Sequence, residues 1–196
     1  MKLIFEEGSF NSYSKVELRT ACESILKHSQ YGVPRKTTVF ISHSHDDLND
    51  LQGILGFLEQ NYDVKVYIDS QDPTMPQITS EQTALNLKQR IEQCDKFILL
   101  ATNKAIASKW CNWELGYGDA PKYKEHIALF PIKPKGIDDT GYKGAEYMTI
   151  YPYITYFDGT ETYVDGEPIT RGYYIRTQIR DGKHCIEPLA EWLQKR

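Results

Sequence analysis

Short apolar segments alternate with helical patterns through the middle of the chain, and this alternation restricts the fold more than any other feature. Four segments have the length and composition of buried strands: 37–41, 64–68, 97–100 and 127–130. Strands that alternate with helices form a parallel sheet covered by helices on both faces. We therefore expect an α/β fold with a parallel, doubly wound sheet.

Three helical patterns connect these strands. The first has leucines at helical spacing, after two acidic residues suited to a helix start: Asp46, Asp47, Leu48, Leu51, Leu55 and Leu58. The second begins near Thr79 or Ser80, with Gln82 placed for a capping box, and its core stripe is Ala84, Leu87, Ile91 and Cys94. The third covers 103–117. The fourth strand is expected to be stopped by Pro131 and Pro134.

Two flanking segments give the chain three predicted parts. Residues 1–36 form an N-terminal extension with an amphipathic helix between Tyr13 and Ser29, and residues 37–134 form the α/β domain. Residues 135–196 form a β-rich appendage that completes or flanks the domain. This last part is rich in tyrosine and ends in a short helix between Glu187 and Lys195.

Composition and charge argue against several classes of protein. A hydrophobic content of 40% and a charged content of 26% are those of a soluble globular protein. A net charge of -4 with scattered basic residues argues against nucleic-acid binding. No apolar run approaches the roughly 20 residues of a membrane helix, and acidic Glu6 and Glu7 argue against a signal peptide. The cysteines form no CxxC pair, which favours a cytoplasmic protein.

Polar residues follow each predicted strand. They are Ser42, His43, Ser44 and His45, then Asp69 and Ser70, then Thr102 and Asn103, then Lys133. In parallel α/β sheets, ligands bind at the carboxyl ends of the strands, which share one edge. The sequence therefore predicts a binding crevice at this edge.

The segment Trp110-Cys111-Asn112-Trp113-Glu114 contains a candidate catalytic carboxylate. On a helix, Trp110 and Glu114 lie one turn apart on the same face. Cleavage of a nicotinamide glycosidic bond builds positive charge on the ribose, which a nearby carboxylate stabilises. The pyridinium leaves without a general acid, so one glutamate suffices. Spacing alone favours the alternative, in which Trp110 and Trp113 anchor the core and Glu114 is a solvated helix residue.

Four segments, in this order, resemble the motifs of TIR domains. They are Val39-Phe40-Ile41-Ser42, Val66-Tyr67-Ile68-Asp69, Phe97-Ile98-Leu99-Leu100 and Ser108-Lys109-Trp110-Cys111-Asn112-Trp113-Glu114-Leu115. They correspond to the family's first-strand box, the strand entering its BB loop, its third strand and its S-x-W-C-x-x-E-L motif. The resemblance covers about residues 37–134.

This resemblance implies a flavodoxin-like fold and, as in many bacterial and plant members, cleavage of NAD with Glu114 as the catalytic residue. NAD would be the substrate, with no other cofactor and no metal. The family's nucleotide contacts, carried onto this chain, fall on His43, Ser44 and His45, and its gating loop falls on about 69–78. Together with the strand-end residue Ser42 and with Trp110 beside Glu114, they give the expected substrate-binding residues: Ser42, His43, Ser44, His45, Asp69, Ser70 and Trp110.

Two departures from the family pattern concern the first strand and the BB loop. Thr37 and Thr38 stand where the first-strand box commonly carries an acidic residue. The BB loop, about 69–78, has Pro73 and Pro76 and lacks the usual glycine. These changes bear on loop conformation and loop-mediated assembly more than on the glutamate.

The C-terminal part extends the resemblance to a particular group. A TIR domain followed by Tyr151-Pro152-Tyr153-Ile154 and a closing helix is similar to stand-alone TIR proteins of bacterial antiphage systems of the Thoeris type. The similarity implies ADP-ribose or a cyclic ADP-ribose-type signal as product, a separate effector protein activated by it, and self-association through TIR surfaces. Aromatic side chains can stack on adenine or bury a partner surface, but packing of these tyrosines against the sheet edge is the favoured interpretation.

Other interpretations remain open at this stage. His43, His45 and Asp47 match part of the HxHxDH motif of metallo-β-lactamase-fold hydrolases, but Leu48 replaces its final histidine. An open zinc site needs about three protein ligands, and the remaining histidines are too few and badly placed. The chain is alternatively a non-enzymatic TIR interaction module, or an enzyme similar to nucleoside deoxyribosyltransferases, which also use a glutamate on N-glycosidic bonds.

Overall fold

Eight strands and six α-helices make up the described part of the chain. The computed structural model describes residues 1–14, 36–68 and 80–195. The strands are β1 (Phe5–Glu6), β2 (Thr38–Ser42), β3 (Lys65–Tyr67), β4 (Lys96–Ala101), β5 (Ile127–Lys133), β6 (Tyr153–Phe157), β7 (Gly172–Gln178) and β8 (His184–Pro188). The helices are α1 (Leu48–Tyr62), α2 (Glu81–Gln93), α3 (Asn103–Ala107), α4 (Lys109–His126), α5 (Ala145–Ile150) and α6 (Leu189–Gln194).

The strands form one sheet in the order β3-β2-β4-β5-β6-β7-β8. Strands β2 to β6 run parallel, whereas β7 and β8 are antiparallel to their neighbours. The order of the five parallel strands is the flavodoxin-like order, in which the first strand of the set lies between the second and the third. The predicted doubly wound α/β fold is confirmed.

Helices cover both faces of the sheet, and each face has its own core. Successive strand residues point to opposite faces. Val39 and Ile41 of β2 therefore belong to the cluster that contains residues of α1 and α6, whereas Phe40 belongs to the cluster that contains residues of α2 and α4. Because both faces are buried, the central strands are apolar almost throughout. This explains why they stand out in the sequence.

Strand β5 continues through Pro131 and ends at Lys133, directly before Pro134. The prediction that Pro131 stops the strand is wrong, whereas the stop at Pro134 is confirmed. On the side of β5 away from β4, β6 pairs opposite Leu129, and pairing with β1 starts at Ile132. Pro131 therefore lies between two ladders, where its missing N–H breaks neither.

The predicted starts of α1 and α2 are confirmed, and three details of the helices differ from the sequence prediction. The third helical region is two helices, because Ser108 is extended and caps α4, which continues to His126. The cap of α2 is Ser80, so Thr83, three residues on, closes the capping box, and Gln82 bonds Asn86 instead. Leu48 is exposed because it is the first residue of α1.

The N-terminal residues join the sheet. Strand β1 pairs with β5, with Phe5 opposite Ile132, and the Lys2 and Tyr156 backbones exchange hydrogen bonds of 2.7 and 3.0 Å. Residues 1–14 are thus a short strand and a 3₁₀ turn at Asn11–Tyr13. The predicted N-terminal helix falls almost wholly within residues 15–35, outside the described residues.

The C-terminal part continues the same sheet through β6, β7 and β8. Its predicted closing helix is α6, and Leu189, Trp192 and Leu193 are buried as expected. Tyr153 and Tyr174 are also buried, so these tyrosines pack in the sheet. Of the helices in the described ranges, none has the length and apolarity that a bilayer crossing requires.

Candidate active site

Glu114 is buried at the carboxyl edge of the sheet. Its side chain is 2% exposed, and the Ser42 hydroxyl donates a hydrogen bond of 2.5 Å to its Oε2. Ser42 is the last residue of β2 and is 72 positions away in sequence. The alternative of a solvated helix glutamate is therefore wrong, and two predicted site residues are in direct contact.

The start and register of α4 place Glu114 there. The Ser108 hydroxyl accepts from the backbone N–H of Cys111 and fixes the first turn at the sheet edge. Cys111 and Leu115 are buried against the sheet, and Glu114 lies on the same inner face. A carboxylate in such a position is costly unless it is hydrogen-bonded, and the Ser42 hydroxyl supplies such a bond.

The segment after β2 forms the next part of the site. His43 is buried, with Nδ1 3.5 Å from the Ile41 carbonyl oxygen, and its ring lies 6.2 Å from that of His45, which is exposed. Ser44 accepts from the Asp46 N–H and starts the 3₁₀ turn His45–Asp47. This segment therefore presents one buried and one exposed imidazole beside Ser42.

Asp47 links the ends of β2 and β4. Its buried carboxylate accepts a 2.5 Å hydrogen bond from the Thr102 hydroxyl and has Lys104 Nζ at 3.6 Å. Burial raises the pKa of Asp47, against the opposing effect of the Thr102 hydrogen bond. The carboxylate is thus engaged with Thr102 and Lys104. Among the described residues, no group of three or more potential ligands is placed to hold a metal ion.

Trp110 begins a row of stacked aromatic rings along α4. Its ring lies 5.0 Å from that of Trp113, which in turn stacks on Tyr117 at 5.9 Å. All three side chains pack partly buried against the core, as the anchoring interpretation predicts. Contact between Trp110 and a substrate stays a prediction.

Asp69 and Ser70, with the rest of residues 69–79, lie outside the described residues. Their predicted contact with the substrate, and the gating function that the TIR resemblance implies for the loop, stay predictions.

A group of hydrogen bonds on the outer side of α4, between Asn112 and Tyr147 and nearby backbone carbonyls, is not predicted from the sequence. The Tyr147 hydroxyl donates to Asn112 Oδ1 over 2.6 Å, and Asn112 Nδ2 donates to the carbonyls of Ile106 and Ser108. A short amide in the first turns of a helix commonly bonds local backbone groups. That tendency indicates the contacts of Asn112 within α3 and α4, but it does not indicate Tyr147, 35 positions away.

A separate cleft of about 560 Å³ opens on the α1 side of the same edge. Glu6, Glu7, Asp46, Asp50 and Lys104 are among its lining residues, so its charge is mainly acidic. It borders Asp47 but does not include Glu114 or Ser42.

Comparison with known proteins gives a family and two relatives. A family model described as "TIR domain" matches residues 39–166, more than half of the chain. The "Probable 3' cyclic ADP-D-ribose synthase ThsB'" of Bacillus cereus (strain MSX-D12) is 29% identical over 154 residues, covering 74% of this chain and 78% of that protein. The "Putative cyclic ADP-D-ribose synthase TIR2" of Cytobacillus dafuensis is 32% identical over 82 residues. That match covers 40% of this chain and 21% of the relative.

Proposed function

Because the chain belongs to the TIR domain family, we propose that it cleaves the bond between nicotinamide and ribose in NAD, with Glu114 as the catalytic carboxylate. The names of both relatives support a nucleotide product. The activity is that of an NAD nucleosidase of the ADP-ribosyl cyclase type, and its setting is bacterial antiphage defence.

The observation that carries the catalytic assignment is the contact between Glu114 and Ser42. A buried carboxylate at the carboxyl edge of a doubly wound sheet lies where ligands of this fold bind. The Ser42 hydroxyl orients one carboxylate oxygen over 2.5 Å, and a preoriented charge requires little reorganisation when the reaction occurs.

In this mechanism the C1′–N bond breaks and its electron pair leaves with nicotinamide. Positive charge develops on the ribose, and Glu114 stabilises it or traps the ribosyl group covalently. Capture by water gives ADP-ribose, with loss of one proton from the water. Capture by another nucleophile of the same nucleotide gives a cyclic ADP-ribose-type signal.

The substrate contacts, partners and segment boundaries complete the proposal. NAD contacts would come from Ser42, His43, Ser44, His45, Asp69, Ser70 and Trp110. NAD is a substrate, and no additional cofactor takes part. The protein acts in the cytoplasm, associates with itself through TIR surfaces, and forms a product that activates a separate effector. Residues 1–36, 37–134 and 135–196 are segments of one folding unit, in which 135–196 completes the TIR domain.

Two other functions remain useful contrasts. A non-enzymatic TIR module needs no buried carboxylate at the sheet edge, so the contact between Glu114 and Ser42 disfavours it. An enzyme similar to nucleoside deoxyribosyltransferases would also use a glutamate but would act on deoxynucleosides rather than NAD. Offering both substrates to the same protein separates these two enzymes.

Release of nicotinamide tests the proposed function directly. Purified protein is incubated with NAD, with and without lysate of infected cells, and free nicotinamide is measured by chromatography. We expect release that Glu114→Gln lowers by about 10²-fold or more, because the variant keeps the size of the side chain but loses its charge.

Glu125→Gln is the matched control for this experiment. Glu125 is exposed at the opposite end of α4, so the same chemical change there should leave the release rate unchanged. Full activity of Glu114→Gln contradicts the assignment of the catalytic residue. Absence of nicotinamide release by the wild type under both conditions contradicts the activity itself.

A further inference from the structure

The outer side of α4 is hydrogen-bonded to the connection between β5 and β6. Asn112 Nδ2 donates to the Ile106 carbonyl over 2.9 Å and to the Ser108 carbonyl over 2.8 Å. Its Oδ1 accepts from the Tyr147 hydroxyl over 2.6 Å. One amide side chain therefore binds the last turn of α3, the cap of α4, and α5.

These contacts restrict the rotation of α4 about its own axis. The backbone is extended at Ser108, so α3 and α4 are separate helices whose relative angle is not set by a continuous backbone ladder. Asn112 bridges this break. Glu114 follows two residues later, about 200° around the helix. When Asn112 is held on the outer side, Glu114 is directed inward to Ser42.

The connection that carries Tyr147 is itself fixed to the sheet edge. The buried Tyr142 hydroxyl donates to the Ala101 carbonyl over 2.9 Å. Asn103 Nδ2 donates to the Gly141 carbonyl over 3.0 Å, and the Lys143 N–H donates to Asn103 Oδ1 over 2.8 Å. Tyr147 therefore contacts α4 from a connection that is itself hydrogen-bonded to the end of β4 and the start of α3.

We propose that Asn112 and Tyr147 are positioning residues for the reaction, and that their hydrogen bond holds α4 in the rotation that directs Glu114 to the ribose. The inference rests on the proposed function, because it concerns the rate at which Glu114 acts. Neither residue contacts the substrate; both act through the orientation of the carboxylate. The C-terminal part of the chain thereby contributes to catalysis by the TIR domain.

Tyr147→Phe removes only the hydroxyl and leaves the ring packed against the core. We expect kcat for nicotinamide release to fall about 10-fold with KM for NAD within about twofold, because small misplacements of a catalytic group have large effects on rate. The separation of kcat from KM distinguishes positioning from substrate binding.

Tyr151→Phe is the matched control. Tyr151 follows α5, its ring packs against the same core, and its hydroxyl makes no hydrogen bond to the residues that the structure describes. We expect wild-type kinetics, and melting temperatures of the two phenylalanine variants within a few degrees of each other. Equal kcat values for the two variants would overturn the inference.

A double-mutant cycle with Asn112→Ala identifies the contact responsible. In the Asn112→Ala background, Tyr147→Phe should have no further effect on kcat, because its hydrogen-bond partner is already absent. If the decreases in kcat of the two single variants multiply in the double variant, the proposed coupling is wrong. If Asn112→Ala does not fold, the comparison of Tyr147→Phe with Tyr151→Phe decides alone.

Failure of the inference can be distinguished from failure of the proposed function. An active wild type with inactive Glu114→Gln, but with Tyr147→Phe equal to Tyr151→Phe, rejects only the positioning role. An inactive wild type, or an active Glu114→Gln, rejects the proposed function and the inference with it.

Discussion

Two ionisable side chains are buried at opposite ends of the sheet. Glu114 lies at the carboxyl edge beside Ser42. Lys96 begins β4 at the amino edge and is fully buried, with Nζ 2.9 Å from His126 Nδ1 and 4.6 Å from the centre of the Trp192 ring. Burial lowers the pKa of Lys96 to about 8, against the opposing effect of Glu187. The pKa of His126 is lowered too, by burial and then by Lys96.

Lys96 should make the stability of the fold depend on pH. An unfolded lysine keeps its proton up to about the ordinary pKa of 10.5, whereas folded Lys96 releases it from about 8. The unfolded state then binds more protons between these values, so the free energy of unfolding rises with pH in this window, and this gain is lost as pH falls to about 8. We expect Lys96→Met to reduce this slope in urea denaturation from about pH 7.5 to about pH 9.5.

Lys143→Met provides the comparison for the pH experiment. Lys143 is exposed on the connection between β5 and β6, so its replacement should leave the slope as in the wild type. If the slopes of all three proteins coincide, Lys96 does not titrate differently in the folded and unfolded states.

At the scale of elements, two glycines allow the N-terminal turn to lie directly on α1. A Cβ at Gly53 would stand 2.6 Å from the Phe10 carbonyl oxygen, and one at Gly56 would overlap the Tyr13 carbonyl oxygen. Because both positions lack a side chain, Phe10 packs on Phe57 with ring centres 4.9 Å apart. The two glycines thus allow the N-terminal residues to pack into the main core.

Alanine substitutions at two helical glycines should have opposite effects. Gly56→Ala should destabilise the protein by about 1–3 kcal/mol through overpacking, despite the gain of about 1 kcal/mol in helix propensity. At Gly116, in α4, a Cβ would have no heavy atom of another described residue within 4 Å, its chain neighbours and the helix backbone aside. Gly116→Ala should therefore stabilise by about 0.5–1 kcal/mol. Chemical denaturation measures both, and a destabilising Gly116→Ala or a stabilising Gly56→Ala would contradict the packing argument.

Elements with many local signals could be predicted from the sequence, whereas those that depend on distant partners could not. The central strands are continuous apolar runs because both of their faces are buried. Strand β1 has two residues and exists because β5 lies beside it. The spacing likewise predicts that Glu114 is a helix residue. It does not predict that Glu114 is buried in contact with Ser42, which is 72 positions away.

At the scale of the whole molecule, the three predicted segments share one core. Phe5 and Phe10 from the first, Val39 from the second and Trp192 from the third belong to the same buried cluster. The family match also continues to residue 166, beyond the end of the second segment. The three predicted segments therefore pack together rather than as separate units.

The segment 37–134 should not fold by itself. Without the other two segments β5 loses its partners β1 and β6, and the core cluster loses the buried side chains that β1, β6 and α6 contribute to it. We expect the full chain to unfold in one cooperative thermal transition, and the isolated segment to show none in circular dichroism. A cooperative transition of the isolated segment would instead identify it as an independent domain.

The pairing of β1 with β5 has a consequence for synthesis on the ribosome. Phe5 pairs opposite Ile132, and Lys2 bonds to Tyr156. At usual translation rates, β1 leaves the ribosome on the order of 10 s before these partners. During that interval Ile4 and Phe5, buried in the native protein, are exposed on the nascent chain. We expect chaperones to bind this segment early and to release it only after the centre of the sheet has formed.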